Sequence, residues 1–425
     1  MAFRRTLSGW EVGAEYGIGG IGDTGTFLWV NNVANANTGC YYGRCLTVAT
    51  PGVNGFFVLL QSALTPPVTP GEILSARARC FLNIQSNVDV AGATILRLGE
   101  TGVFGSDAVI RLSPSRTWQL FNSATGGATA FSSTALPLNT WHQADLSFSI
   151  LRGAGSFTLN QSATIAGETL SLGPDVTGIF AVAFNVFEMG FNNGNNNPAP
   201  PQTGEIWYDD AVLLIETTPD VSPALPTTTK IRIAIPTGQG SLAAWVGSFT
   251  DLQEVPYTGD TDGQTSAVAG AGTTFLHHTA VELGIASVTA VRTYAYVERV
   301  PGGGSTEDIL MGGVAFPVVV TGPGVASGNA VPNATEFVTL TPAQWNAFEY
   351  GMQNTTGVSL GLYDIHAEVL YDPTIIEGFN GCGLAPDVCD GERGAPRTDG
   401  LPYTAPSVAV CGGGSGARGT ARIGV

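Results

Sequence analysis

The chain has 425 residues, enough for two or three domains at roughly 100–200 residues each. Its 44% apolar residues can build sizeable cores, and only 12% are charged, about half the ordinary share of about 25%. That balance excludes a disordered chain, and a net charge of −17 repels phosphate backbones and so excludes broad nucleic-acid binding.

At the N-terminus, Arg4 and Arg5 are followed by Gly9, Trp10 and Glu11 rather than an apolar run, so no signal peptide is expected. No segment approaches the 18 or so apolar residues of a membrane span, and no cation cluster suits an anionic membrane surface. No membrane partner is therefore expected. Residues 1–217 carry short apolar runs punctuated by Gly, Pro, Asn and Ser, which is the pattern of a β-sandwich. Thr26–Val30, Gly55–Gln61 and Ala108–Ser113 are such runs. Thr117–Leu120 and Ala144–Ile150 alternate at period two, marking strands with one buried face. Phe191–Pro201, rich in Asn and Pro, reads as a long exposed loop. Gly204–Glu216 closes the domain as a strand with a polar start.

Residues 218–229, rich in Pro and Thr, form a stiff linker. A second, smaller β-sandwich follows over 230–373, where Lys230–Pro236, Val291–Glu298 and Ile365–Tyr371 alternate cleanly. Thr341 then Pro342 is a helix-start signal for one short helix toward Tyr350. Residues 374–425 change character and read as an extended Cys/Gly-rich C-terminal arm. The six cysteines (Cys40, Cys45, Cys80, Cys382, Cys389 and Cys411) lack zinc-ribbon spacing. They read as buried or free thiols, with disulfides formed after release into an oxidising medium as the alternative.

Catalytic constellations are missing from this reading. Glycoside hydrolysis needs two facing carboxylates about 5–9.5 Å apart, and no inward-facing acidic row marks such a strand in the first domain. Asp209 and Asp210 are adjacent, so on a regular strand they point to opposite faces. One of them bonding a neighbouring loop is the plain reading, and calcium ligation by Asp209 and Asp210 is the alternative. The acidic stretch Asp251, Glu254, Asp260 and Asp262 lacks EF-hand spacing and reads as a solvated loop. His142, His277, His278 and His366 form no His-Glu-x-x-His motif, and His277 and His278 should diverge on a strand. Gly357-Val-Ser-Leu-Gly361 has nucleophile-elbow spacing, but a strand rather than a helix is expected after it. Gly17–Gly22 matches a dinucleotide fingerprint without a β-α-β context, and the Gly302 and Gly412 runs lack a Walker lysine. The seven tryptophans are mostly core candidates, with a shallow sugar platform as the alternative. The chain is therefore expected not to be an enzyme and to need no cofactor beyond that calcium alternative.

Three features of the first domain form an ordered series: Ser8–Gly13, Asn139–Asp145 (Asn-Thr-Trp-His-Gln-Ala-Asp) and Ile206–Val212 (Ile-Trp-Tyr-Asp-Asp-Ala-Val). The series resembles the concanavalin A-like (laminin-G-like) jelly rolls of phage and surface proteins. In the second domain, Trp245, Asp251–Pro256, Asp260–Asp262, Ser287–Val291 and Trp345–Gly351 resemble a module of tailed-phage virion proteins. Together these resemblances imply an all-β virion structural protein of a tailed bacteriophage, a capsid-decorating or tail-fibre subunit. It would work by homo-oligomeric assembly, as a trimer in a fibre, and by contact with other capsid or tail proteins. The alternative they imply is a carbohydrate-binding adhesion protein of the tail that touches a host surface glycan.

Overall fold

The structure is a computed structural model. It describes residues 3–8, 18–21, 27–31, 36, 41–46, 55–64, 70–89, 92–100, 103–122, 128–177, 184–192, 204–217, 230–253, 262–300, 304–320 and 330–374. The linker at 218–229, most of the 191–201 loop, the acidic stretch over 254–261 and the C-terminal arm beyond Thr374 lie outside the described residues.

The chain is all-β, as its alternating segments require. Two antiparallel sheets make the first sandwich. The larger runs, in spatial order, β13 (Glu168–Thr177), β12 (Phe157–Ile165), β11 (Trp141–Arg152), β6 (Ile73–Ser86), β15 (Glu205–Thr217), β4 (Tyr41–Leu46) and β3 (Phe27–Asn31). β1 (Phe3–Ser8) also pairs along β15. The facing sheet runs β10 (Ala128–Phe131), β9 (Trp118–Asn122), β8 (Val103–Leu112), β7 (Ala93–Glu100), β14 (Phe184–Asn192), β5 (Gly55–Leu64) and β2 (Ile18–Ile21). Neighbours in space come from distant parts of the sequence, which is the jelly-roll manner of building a sandwich.

Period-two alternation decides which side chains enter the core. On β11, His142, Ala144, Leu146, Phe148 and Ile150 are buried, and Trp141, Gln143, Asp145, Ser147 and Ser149 between them are half-buried and face outward. The core joins Leu82, Phe148 and Tyr208 of the larger sheet to Ile95, Trp118 and Phe187 of the other. Cys45 and Cys80 are buried within it, and the Cys45 thiol donates to the Met189 carbonyl at 3.7 Å.

The second sandwich pairs two five-stranded sheets. One is β16 (Lys230–Ala234), β25 (Ser359–Pro373), β20 (Ile285–Val300) and β23 (Ala330–Leu340), with β18 (Gln264–Ser266) also on β25. The other is β17 (Gly238–Ala243), β19 (Ala271–Leu276), β24 (Tyr350–Asn354), β21 (Ser305–Met311) and β22 (Val314–Val320). The expected helix is present but short. It is α2 (Pro342–Asn346), held by a reciprocal Thr341/Gln344 capping box with proline in its first turn. A second turn of helix, α1 (Ala280–Leu283), uses the same device through Thr279 and Glu282 and stops at left-handed Gly284. His277 follows β19 rather than lying within it, so its separation from His278 is not set by strand alternation. Gly357-Val-Ser-Leu-Gly361 runs into β25, the expected strand.

A β-bulge in β15 joins the two sandwiches. Asp209 pairs with Phe81 and Val212 with Arg79, so three steps on β15 oppose two on β6. Asp210 takes up the extra residue at φ +50°, a left-handed conformation that Asp tolerates better than most residues. The slip reverses the parity of the strand. Ile206 and Tyr208 point into the core before it, and Ala211, Leu213 and Ile215 do so after it. Val212 and Leu214 are thereby turned outward, where they pack with Ile231, Ala290 and Leu370 of the second sandwich. Asp210 Oδ1 accepts the backbone N–H of Ile231 at 2.7 Å across the same junction. Asp210→Ala removes that acceptor and the left-handed tolerance together, so a stability loss of about 2–4 kcal/mol is expected in urea unfolding. Asp210→Asn keeps both properties and should cost less than half as much; equal losses for the two variants would contradict this role.

Candidate functional site

The outward face of the larger sheet carries a groove lined by charged and hydroxyl side chains. β6 and β11 are antiparallel neighbours, and their register sets Trp141 beside Asn83, Gln143 beside Phe81, Asp145 beside Arg79 and Ser147 beside Arg77. β12 continues the rows, with Thr164 beside Asp145 and Ser162 beside Ser147. A shallow, open groove of 230 Å³ lies here, lined by the side chains of Arg77, Arg79, Asp145, Ser147, Ser162 and Thr164 and floored by Ala78 and Leu146.

Each polar group in the groove is held by a neighbour. Arg79 Nε donates to Asp145 Oδ1 at 2.5 Å, and Gln143 Nε2 donates to Asp145 Oδ2 at 2.8 Å. The Ser147 and Ser162 hydroxyls meet at 2.7 Å. Side chains held by such hydrogen bonds present a preorganised array, the condition for binding hydroxyl-rich ligands at low entropic cost.

Toward the start of β11 the face becomes aromatic. Trp141 and Trp207 flank Asn83 from both sides, as its direct partners on β11 and β15. The Tyr42 ring packs 4.6 Å from Trp207 and edge-on at 6.4 Å from Trp141. Both tryptophans remain half-buried, while Trp118, Trp245 and Trp345 are core residues. Glu205 Oε1 accepts from Arg44 Nε at 2.6 Å and from Trp207 Nε1 at 2.7 Å, fixing the indole. Burial works against the Glu205 charge, but the hydrogen bonds from Arg44 and Trp207 outweigh it and hold its pKa below the ordinary value. Gln85 Nε2 donates to Asn83 Oδ1 at 2.7 Å. From Asn83 to Arg77 the strand spans about 20 Å at roughly 3.3 Å per residue. The face is thus a track with rings at one end and guanidinium groups at the other.

Asp209 and Asp210 are not on this open surface. Both are wholly buried at the bulge, where Asp209 Oδ1 accepts the N–H of Asp210 at 2.8 Å and Asp210 faces Ile231. Among the described residues no three His, Cys, Asp or Glu side chains stand close enough together to hold a metal ion. His142 points inward beneath the Pro137 carbonyl, and burial lowers its pKa.

One titratable row went unread in the sequence. On the outward face of β20 and β25, Arg292 stands opposite Glu368, Tyr294 opposite His366 and Tyr296 opposite Asp364. His366 Nδ1 lies 3.2 Å from Asp364 Oδ2, and Tyr294 donates its hydroxyl to Glu368 at 2.7 Å. Asp364-x-His-x-Glu368 was visible as alternation, and on an open face it would be a catalytic candidate. All six side chains are instead sealed from solvent, on the face that carries the junction residues Ala290 and Leu370.

No protein-family model matches this sequence, and no curated protein matches it. Solved structures that overlap it include the endo-β-1,4-glucuronan lyase of the fungus Trichoderma reesei, at 13% identity, TM-score 0.32, and coverage of 45% of this chain and 87% of that one. The cellulose-induced protein Cip1 overlaps at 13% identity and TM-score 0.33, covering 49% of this chain and 96% of its own. Peanut lectin overlaps at 7% identity and TM-score 0.31, covering 52% of this chain and 100% of its own. At such values these overlaps carry no statement about what this chain binds; the fold assignment rests on its own strand pairing.

Proposed function

We propose that this chain is a glycan-binding protein that lays a saccharide chain along the outward face of β6 and β11. The observation that carries this reading is the track itself: half-buried rings at Trp141 and Trp207, amides at Asn83, Gln85 and Gln143, then the groove at Arg77, Arg79 and Asp145. Sugar rings present apolar faces that stack on indoles and hydroxyls that pair with planar amides and guanidinium groups. Binding rather than turnover fits the groove, whose lining carries one carboxylate, Asp145, engaged by Arg79 and Gln143. A glycosidase of the usual kind needs a second carboxyl about 5–9.5 Å away. Glycan-array binding of the full chain tests the reading, with Trp141→Ala expected to weaken the best ligand about tenfold, a stacking contact of about 1.4 kcal/mol. Unchanged affinity in that variant, with the fold intact by circular dichroism, contradicts the proposed track.

The setting we propose for this binding is the surface of a phage particle, as a tail adhesion subunit. Beside the resemblance of its second sandwich, the supporting observation is a charge-poor surface carrying Val246, Val268 and Val281 at 76%, 65% and 83% exposure. Neighbouring subunits would cover such residues. Immunogold labelling of purified particles tests it: label on tails is expected, and particles without label contradict it.

A further inference from the structure

At its aromatic end the track carries a charged pair that is joined at one point only. The strand register sets Arg44 of β4 beside Trp207 of β15, and Trp207 beside Asn83 of β6. The three residues form a row across three strands, about 10 Å long at roughly 4.8 Å per strand spacing. Arg44 Nε and Trp207 Nε1 both donate to the same Glu205 oxygen, Oε1. Among the described residues, nothing meets Glu205 Oε2 or the two Nη groups of Arg44. The Arg44 and Glu205 side chains are 33% and 18% exposed, and none of these atoms is sealed from solvent. Asn83 is only 5% exposed, and its Oδ1 is taken by Gln85. Its Nδ2 donor has no acceptor among the described residues. With its N–H engaged, the Trp207 indole offers apolar ring surface alone.

We infer that Arg44, Glu205, Asn83 and Trp207 form a subsite for one neutral sugar ring that carries two adjacent hydroxyls. This rests on the glycan-binding reading above and names the ligand class of its aromatic end. The apolar face of the sugar stacks on the indole. One hydroxyl donates to Glu205 Oε2, its neighbour accepts from an Arg44 Nη–H, and Asn83 Nδ2 donates to a further sugar oxygen. An ionised carboxyl only accepts and a guanidinium only donates, whereas a hydroxyl does both. A carboxylate and a guanidinium side by side therefore fit two neighbouring hydroxyls. The hydrogen bonds from Arg44 and Trp207 keep the Glu205 pKa below its ordinary value, so it stays an acceptor at neutral pH. Hydrogen bonds to charged groups are roughly twice as strong as neutral ones, so uncharged hydroxyls gain most from such a pair. The two charges cancel, so an acidic sugar gains no net attraction from them. It would also meet the repulsion of a chain at net −17.

The test uses the full chain, over a dilution series, on a glycan array carrying neutral, uronate-bearing, sialylated and sulfated saccharides. The tightest binding should fall on neutral saccharides. Glu205→Gln keeps an oxygen for the Arg44 and Trp207 donors but removes the charge. It should raise the half-saturating concentration on those saccharides at least about tenfold. Arg44→Gln should do the same, and both variants should keep the wild-type circular dichroism spectrum. Tightest binding to acidic saccharides would overturn this inference and leave the glycan-binding reading standing. Unchanged affinity for neutral saccharides in either folded variant would also overturn it and leave that reading standing. Failure of every saccharide on the array would overturn both.

Discussion

Arg97→Met should destabilise the protein by about 3–5 kcal/mol, the cost of leaving one member of a buried ion pair without its counter-charge. Arg97 on β7 and Glu188 on β14 are direct cross-strand partners, with Nη1 and Oε1 2.5 Å apart. Their side chains are only 2% and 7% exposed, on the outward face of the sheet that does not carry the groove. Removing the cation leaves the Glu188 carboxylate in a site that water barely reaches. The double variant Arg97→Met/Glu188→Met removes both charges and should recover most of the loss, because desolvating the pair roughly offsets its attraction. Urea unfolding of the two single variants and the double variant measures the coupling directly. Additive losses, or a single loss below about 1 kcal/mol, would show that the two charges do not stabilise each other as a buried pair. Saccharide affinity per folded molecule should stay unchanged in all three, since the groove lies on the other sheet.

Acid should weaken the second sandwich through His277. Its ring packs 3.8 Å from Trp345 and stacks on Tyr350, and its Nδ1–H donates to the His278 carbonyl at 2.9 Å. Burial pushes its pKa from 6.5 down to about 4. The folded state thus binds the proton less tightly than the unfolded chain does. Above pH 6.5 both states are neutral and the stability is fully present. As pH falls from 6.5 toward about 4 the unfolded state takes up the proton first, and stability is lost. The full loss is about 3 kcal/mol, and about 2 kcal/mol of it is gone by pH 5. Burial also lowers His142 and His278, and both add with the same sign. His277→Phe keeps the ring stacking, and Trp345 Nε1 still donates to the His278 carbonyl at 3.1 Å. The slope of unfolding free energy between pH 7 and pH 5 should therefore flatten in that variant, whatever its absolute stability. Identical slopes would contradict the assignment to His277.

The strands were legible because one face of each is wet. Ala144–Ile150 alternates Ala, Leu, Phe and Ile with Asp, Ser and Ser, and the structure buries the apolar set. The β15 bulge was not legible, because Ala211-Val-Leu-Leu-Ile215 is apolar on both parities and either register buries hydrophobic groups. Asp209 and Asp210 accordingly looked like a pair splayed across two faces of a regular strand, when the second of them is the inserted residue. The groove escaped for a different reason. Arg77-x-Arg79 and Asp145-x-Ser147 each show the right parity, but nothing local says that β6 and β11, which lie 66 residues apart at the Arg79–Asp145 contact, are neighbours. The buried Asp364-x-His-x-Glu368 row has the alternation of a solvated face, and its burial is a property of the assembled chain that local alternation does not carry. Trp141 and Trp207 face outward from the larger sheet while Trp118 faces the core from the other, a difference that appears once the sheets are assembled.

The central claim is that a saccharide lies along the outward face of β6 and β11. Hydrogen–deuterium exchange of the full chain, with and without the tightest ligand from the glycan array, tests it most directly. The account predicts slower exchange over Ile73–Ser86 and Trp141–Arg152 on binding, with the second sandwich unchanged. Protection confined to the second sandwich or to the facing sheet, with β6 and β11 unaffected, would contradict it.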